Sequence, residues 1–146
     1  MGFDAETYRR AAVEHMTVAH ELYQSSRYVL CHYVAGLAVE CIFRAYRIRV
    51  DPAFDARHDL KELYKTSRYI QIVPEKEAGK YGACLSEVVV RWNNSHRFRS
   101  ERALATYLKA AGLNRGIKGG FEKENSRRIL NAATELVSLG AGKWNS

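Results

Sequence analysis

Apolar positions recur every three or four residues along most of this chain, the period of helices that each bury one face. Asp4 is placed to cap a first helix running to Gln24. In it Tyr8, Ala11, Ala12, His15, Ala19 and Leu22 form the inner stripe, and Arg9, Arg10, Glu14 and Glu21 the outer one. His15 on that stripe reads as a hydrogen-bonded core residue. The strongest pattern spans about residues 27–49, where Leu30, Val34, Leu37, Cys41, Ala45 and Ile48, widened by Val29, Tyr33, Ala38 and Ile42, predict a core helix. Gly36 within it marks an expected close approach of the first helix, since a helical glycine costs about 1 kcal/mol unless packing uses the space. Glu40 and Arg44 are four apart and placed to pair, a contact worth a few tenths of a kcal/mol if exposed.

Asp51-Pro52 ends that helix, and Asp55 offers a cap for a short helix over 56–64 with Leu60, Leu63 and Tyr64 inward. Residues 67–77 read as a connection around Pro74, with Ile70, Ile72 and Val73 available for burial. A helix from 78 towards 93 carries Tyr81, Leu85, Val88, Val89 and Trp92 inward, its helical spacing overriding the β-propensity of Val88-Val89-Val90. After Asn93-Asn94 the helix breaks or restarts. Residues 101–111 are helical again, with Gly112 as the stop, and Gly116, Gly119 and Gly120 make a flexible basic loop. A last helix over 123–139 buries Ile129, Leu130, Ala133, Leu136 and Val137 before Gly140 and Gly142 release a frayed tail, 140–146. The prediction is an all-α, up-and-down bundle of about five helices in one domain, 1–146.

Composition narrows the class. A chain of 146 residues, 47% hydrophobic, supports one core. Cys31, Cys41 and Cys84 are an odd number without CxxC spacing, which suits reduced, buried thiols. No apolar run approaches a membrane span and no leader is visible, so a cytoplasmic location is expected. The net charge of +7 is concentrated in residues 91–128, where ten cations (Arg91, Arg97, Arg99, Arg102, Lys109, Arg115, Lys118, Lys123, Arg127, Arg128) face three acids (Glu101, Glu122, Glu124). The rest of the chain is balanced. Such local excess is what attraction to a polyanion needs, although a solvated basic face has the same composition.

Several chemistries find no support in the spacing. Gly116 to Gly120 lacks the phosphate-loop pattern and follows no strand. His15, His20, His32, His58 and His96 are dispersed, with no metal-ligand spacing, and no nucleophile elbow or Cys–His dyad is present. No metal and no cofactor is expected. Trp92, Phe98 and Tyr107 lie among arginines where bases can stack, but core packing explains Trp92 more cheaply.

The segment Gly36-Leu37-Ala38-Val39-Glu40-Cys41-Ile42-Phe43-Arg44-Ala45, then His58-Asp59-Leu60 with Leu63, then His96-Arg97-Phe98 before a final amphipathic helix, resembles the HEPN domain family. The resemblance spans nearly the whole chain. It implies paired long helices and a nucleotide-related role. Ribonucleases of that family carry Arg-x4–6-His, and Arg91-Trp92-Asn93-Asn94-Ser95-His96 is similar. The resemblance therefore implies metal-independent cleavage of single-stranded RNA in a cleft shared by two protomers, hence a homodimer, with Arg91 and His96 as catalytic candidates. A histidine near its ordinary pKa moves protons at the ribose 2′-OH, and an arginine neutralises charge on the phosphoryl transition state. Asn93, Asn94, Ser95, Arg97, Arg99, Arg102, Arg115 and Lys118 are candidate phosphate or RNA contacts. On an unbroken helix, five residues separate side chains by about 140°, so either the helix breaks at Asn93-Asn94 or a symmetry mate completes the site.

Three functional classes stay open. One is an endoribonuclease, as the toxin or effector of a toxin–antitoxin or defence pair. Another is a non-catalytic module that binds RNA, nucleotide or a nucleotidyltransferase partner. The last is a helical adaptor.

Overall fold

Asp4 does begin the first helix: its Oδ1 accepts the Thr7 backbone N–H at 2.7 Å, and α1 runs Ala5–Gln24. The computed structural model describes residues 3–53, 59–117 and 120–145, without the side chain of Arg97. Six α-helices pack up and down: α1, α2 (Tyr28–Val50), α3 (Leu60–Thr66), α4 (Ala78–Arg91), α5 (Glu101–Ala110) and α6 (Phe121–Gly142). Among the described residues there is no strand. Helix α2 is the axis, lying against α1 and α6, while α4 packs on α6. By length and composition α2 is apolar enough to cross a membrane, contrary to the expectation above, but most of it is buried inside the bundle, as in a core helix.

Several expectations are corrected by packing. Helix α3 starts at Leu60, capped by Asp59, whose Oδ1 accepts the Glu62 N–H at 3.1 Å. The expected cap Asp55, and His58 of the His-Asp-Leu segment, lie outside the described residues. His15 is only half-buried, and Leu30 is exposed. The connection 67–77 forms two 3-10 turns and buries Ser67 and Tyr69, the Tyr69 hydroxyl donating to the Leu136 carbonyl at 2.5 Å; Ile70 stays exposed. Glu40 and Arg44 do pair, at 3.1 Å, but the pair is buried in the core rather than on the surface.

The end of the chain is docked. Helix α6 continues to Gly142 because Gly140 seats against α2, where a Cβ would lie 2.5 Å from Ile42. The Gly140 carbonyl accepts the Tyr46 hydroxyl at 2.6 Å. Trp144 is then buried against Tyr46, with the Arg49 guanidinium 3.7 Å above its ring and its Nε1–H donating to Glu6 at 3.0 Å. The sequence expectation of a frayed tail from residue 140 missed this because Trp144 stands alone, outside any repeating stripe.

Candidate functional site

Helix α4 stops at Arg91 for a packing reason. Trp92 turns to an extended backbone and its ring enters the space above Gly36, where a Cβ would lie 2.0 Å from the indole. Its Nε1–H donates to the Tyr33 carbonyl at 2.9 Å and its ring stacks on Tyr33. Gly36 therefore receives Trp92, and not the first helix as the sequence suggested.

Asn93 is also extended and caps a 3-10 turn, Asn94–Phe98. Its Oδ1 accepts the Ser95 N–H at 2.8 Å, and its own N–H donates to His96 Nδ1 at 3.1 Å. The break expected at Asn93-Asn94 is thus present, and it swings His96 back into the bundle.

There His96 is joined to Arg91 through two residues that sequence reasoning had not assigned to any site. Arg91 Nη1 donates to Asn125 Oδ1 at 2.7 Å. Asn125 Nδ2 meets His32 Nδ1 at 2.9 Å, and His32 Nε2 meets His96 Nδ1 at 2.9 Å. Arg91 Nε is held by Glu87 at 2.8 Å.

The direction of the chain is fixed at both ends. Arginine only donates, so the Asn125 oxygen faces Arg91 and its amide N–H must point at His32. His32 then carries its proton on Nε2 and donates to His96. At the far end the Asn93 N–H independently requires His96 Nδ1 to be an acceptor. The His96 proton is consequently on Nε2, an edge that is buried and without a hydrogen-bond partner among the described residues.

These groups are sealed. Arg91 is 2% exposed, His96 and Asn125 1% each, and His32 fully buried. Burial, reinforced by His96 and Arg91, pushes the His32 pKa down to about 3, and burial with Arg99 nearby lowers that of His96 to about 4. Both imidazoles are neutral at pH 7. The signal for His32 and Asn125 was a polar residue in an apolar stripe: His32 follows Cys31 in the core helix, and Asn125 stands one turn before Ile129.

Over His96 lies α5. The Tyr107 ring meets His96 edge-on with centroids 4.8 Å apart, and Arg99 holds its guanidinium 5.0 Å from the centre of the same ring. Helix α5 is attached through its own small cluster of Val29, Leu104, Ala105, Leu108 and Phe121.

The other candidates scatter. Asn93 and Ser95 are exposed and occupied in capping, Asn94 takes the Tyr33 hydroxyl at 3.4 Å, and Arg99 is half-buried. Arg102 and Arg115 are exposed, while the side chain of Arg97 and all of Lys118 lie outside the described residues. Arg127 forks onto Glu124 and Arg128 reaches the same carboxylate through Nε, holding its carboxyl down to about 2 and tying both cations to one acid. Lys109 and Lys123 remain exposed and outside every ion pair among the described residues. A groove of about 520 Å³ on α4 and α6 reaches Glu87, the outer end of the buried chain, and is lined by both signs of charge, Glu135 as well as Arg127 and Arg128. Among the described residues no three His, Cys, Asp or Glu side chains converge as metal ligands. No family model, curated protein or solved structure matches the chain.

Proposed function

We propose that the chain is a non-catalytic RNA-binding module of the HEPN type, with Arg91 and His96 serving to fix its architecture. The observation that carries this reading is the direction of the Arg91–Asn125–His32–His96 chain. A general base needs a free nitrogen lone pair, and the one on His96 is engaged by both His32 and Asn93. A general acid near pH 7 needs an imidazolium, and His96, pushed down to about 4, is neutral there. The histidine keeps the ability to donate and loses the ability to move a proton. The binding surface in this reading is the exposed set Arg102, Lys109, Arg115 and Lys123. Arg102 and Lys109 stand seven residues apart on one face of α5.

Binding of a fluorescent single-stranded oligonucleotide, followed between about 50 and 200 mM salt, tests this. The affinity is expected to fall with a log–log slope of about 0.7 per phosphate contacted. Replacing Arg102, Lys109, Arg115 and Lys123 by Gln is expected to weaken binding roughly 10-fold or more and to flatten that slope. The RNA should stay intact. Cleavage in EDTA that disappears in both Arg91→Ala and His96→Ala would replace this reading with the endoribonuclease, and binding unchanged in the fourfold variant would remove the RNA-binding surface.

A further inference from the structure

The groove of about 520 Å³ along α4 and α6 has the volume of a small-molecule site, and its charged side chains keep hydrogen-bonding groups in reserve. Arg128 reaches Glu124 through Nε alone, so its two Nη groups donate to no acceptor among the described residues. Arg127 shares that carboxylate, which leaves two cations on one acid and a positive excess at this end of the groove. Glu87 engages Arg91 through Oε2, and Glu135 meets Lys80 through Oε2, so each has Oε1 left for a further donor. The Lys80–Glu135 pair is about half-exposed on both sides, a contact that solvent keeps weak. Arg128 and Glu135 stand seven residues apart on one face of α6, about 10 Å along its axis. Asn131 lies one turn from each, exposed and with its amide unbonded among the described residues. Ala132 on α6 and Ala83 on α4 supply small apolar lining between the charged ends.

We propose that this groove binds a free basic amino acid, with its α-carboxylate on the Nη groups of Arg128, its α-ammonium on Glu87 and Asn131, and its side-chain cation on Glu135. The charge pattern selects that class. A diamine leaves the Arg128 fork without an acceptor, and a dicarboxylate meets Glu87 and Glu135 as like charges. A zwitterion with a second, distal cation answers all three groups, and its carboxylate takes the paired Nη donors in a bidentate contact. Extended lysine or arginine, with a hydrogen bond of about 2.8 Å at either end, covers the roughly 10 Å from Arg128 to Glu135. Its methylene stem lies along Ala83 and Ala132, as such stems do on apolar surface. The distal cation takes the place of Lys80 on Glu135. The site shares no residue with the exposed set Arg102, Lys109, Arg115 and Lys123, so it stands independently of the RNA-binding reading.

Isothermal titration of the full chain with L-arginine and L-lysine tests the site. Agmatine lacks the carboxylate, norleucine the distal cation and N-acetylarginine the α-ammonium. Each is expected to bind about 10-fold or more below its parent amino acid, the worth of a hydrogen bond to a charged group. Arg128→Gln is expected to remove the difference between arginine and agmatine, and Glu135→Gln that between lysine and norleucine, with helicity by circular dichroism unchanged in both. His20 gives a second readout at the rim of the groove. The Thr134 hydroxyl donates to the Leu130 carbonyl at 2.7 Å, so His20 donates its Nε2–H to Thr134 at 3.0 Å, and its nitrogen signals are expected to shift as arginine is added. No heat and an unmoved His20 up to about 10 mM arginine overturn the proposal. Equal affinity for arginine, agmatine and norleucine reduces the groove to general charge attraction and overturns it as well. N-acetylarginine binding as tightly as arginine also overturns it, in favour of a peptide chain ending in a basic residue.

Discussion

His32 and His96 are basic groups held neutral, and that sets a sign for the pH dependence of stability. Their folded pKa values, about 3 and about 4, lie below the ordinary 6.5, so the unfolded chain binds more protons than the folded one as pH drops below 6.5. Stability from these two groups is complete above about pH 6.5 and is lost as pH falls towards about 4. The half-buried His15, also lowered by burial, adds to the same window. The depressed carboxylates Glu6 and Glu124 act below it, since their ordinary value is 4.5. Urea midpoints measured at about pH 7.5, 6 and 5 are expected to decline stepwise, and His96→Gln to reduce the decline; a flat profile would contradict the buried neutral pair. At this scale the sequence was only partly legible. Arg91 and His96 are visible as a spaced pair, but their connection is not, because Asn125 and His32 stand far from them along the chain and only folding brings them together. A contact between residues 32 and 125 leaves no periodic trace.

Among the elements, the helices were legible wherever an apolar stripe repeats. Helices α1, α2, α4 and α6 satisfy that condition, and their inner residues Ala12, Ile42, Val88 and Leu136 are buried as the spacing predicts. What spacing does not encode is where a helix stops for the sake of a partner. Helix α4 ends because Trp92 turns off to fill the gap over Gly36, and α6 is prolonged because Gly140 allows contact with Ile42. Helix α5 differs from the rest in burying its stripe outside the main core. Its amides are therefore expected to exchange with solvent faster than those of α2 by at least an order of magnitude in native-state hydrogen exchange, opening as a separate unit. Equal protection of α5 and α2 would mean that the cover over His96 does not open on its own.

For the whole molecule, the net charge of +7 already subtracts every acid, and ion pairing decides only which cations are left to meet a ligand. Arg91 is buried on Glu87, and Arg127 and Arg128 share Glu124, so the exposed cations left among the described residues of the basic segment are Arg102 and Lys109 on α5, Arg115 in the loop beyond it and Lys123 at the start of α6. The homodimer implied by the family resemblance is a further proposal. Sedimentation equilibrium at micromolar concentration is expected to give a particle of twice the 16.6 kDa chain mass, and a monomer throughout would withdraw it. The two proposals separate cleanly, since removing exposed charge from α5 bears on RNA and leaves the apolar stripes of the bundle untouched.

The indole of Trp92 over Gly36 also binds the two positions into one unit of inheritance. A methyl group added at residue 36 has no room while the indole remains, and a smaller residue at 92 leaves a hole that a side chain at residue 36 can partly refill. Across descendants of this chain the two sites would drift together, bulk moving from one to the other, so that a lineage gaining a side chain at 36 is one that had already given up its tryptophan.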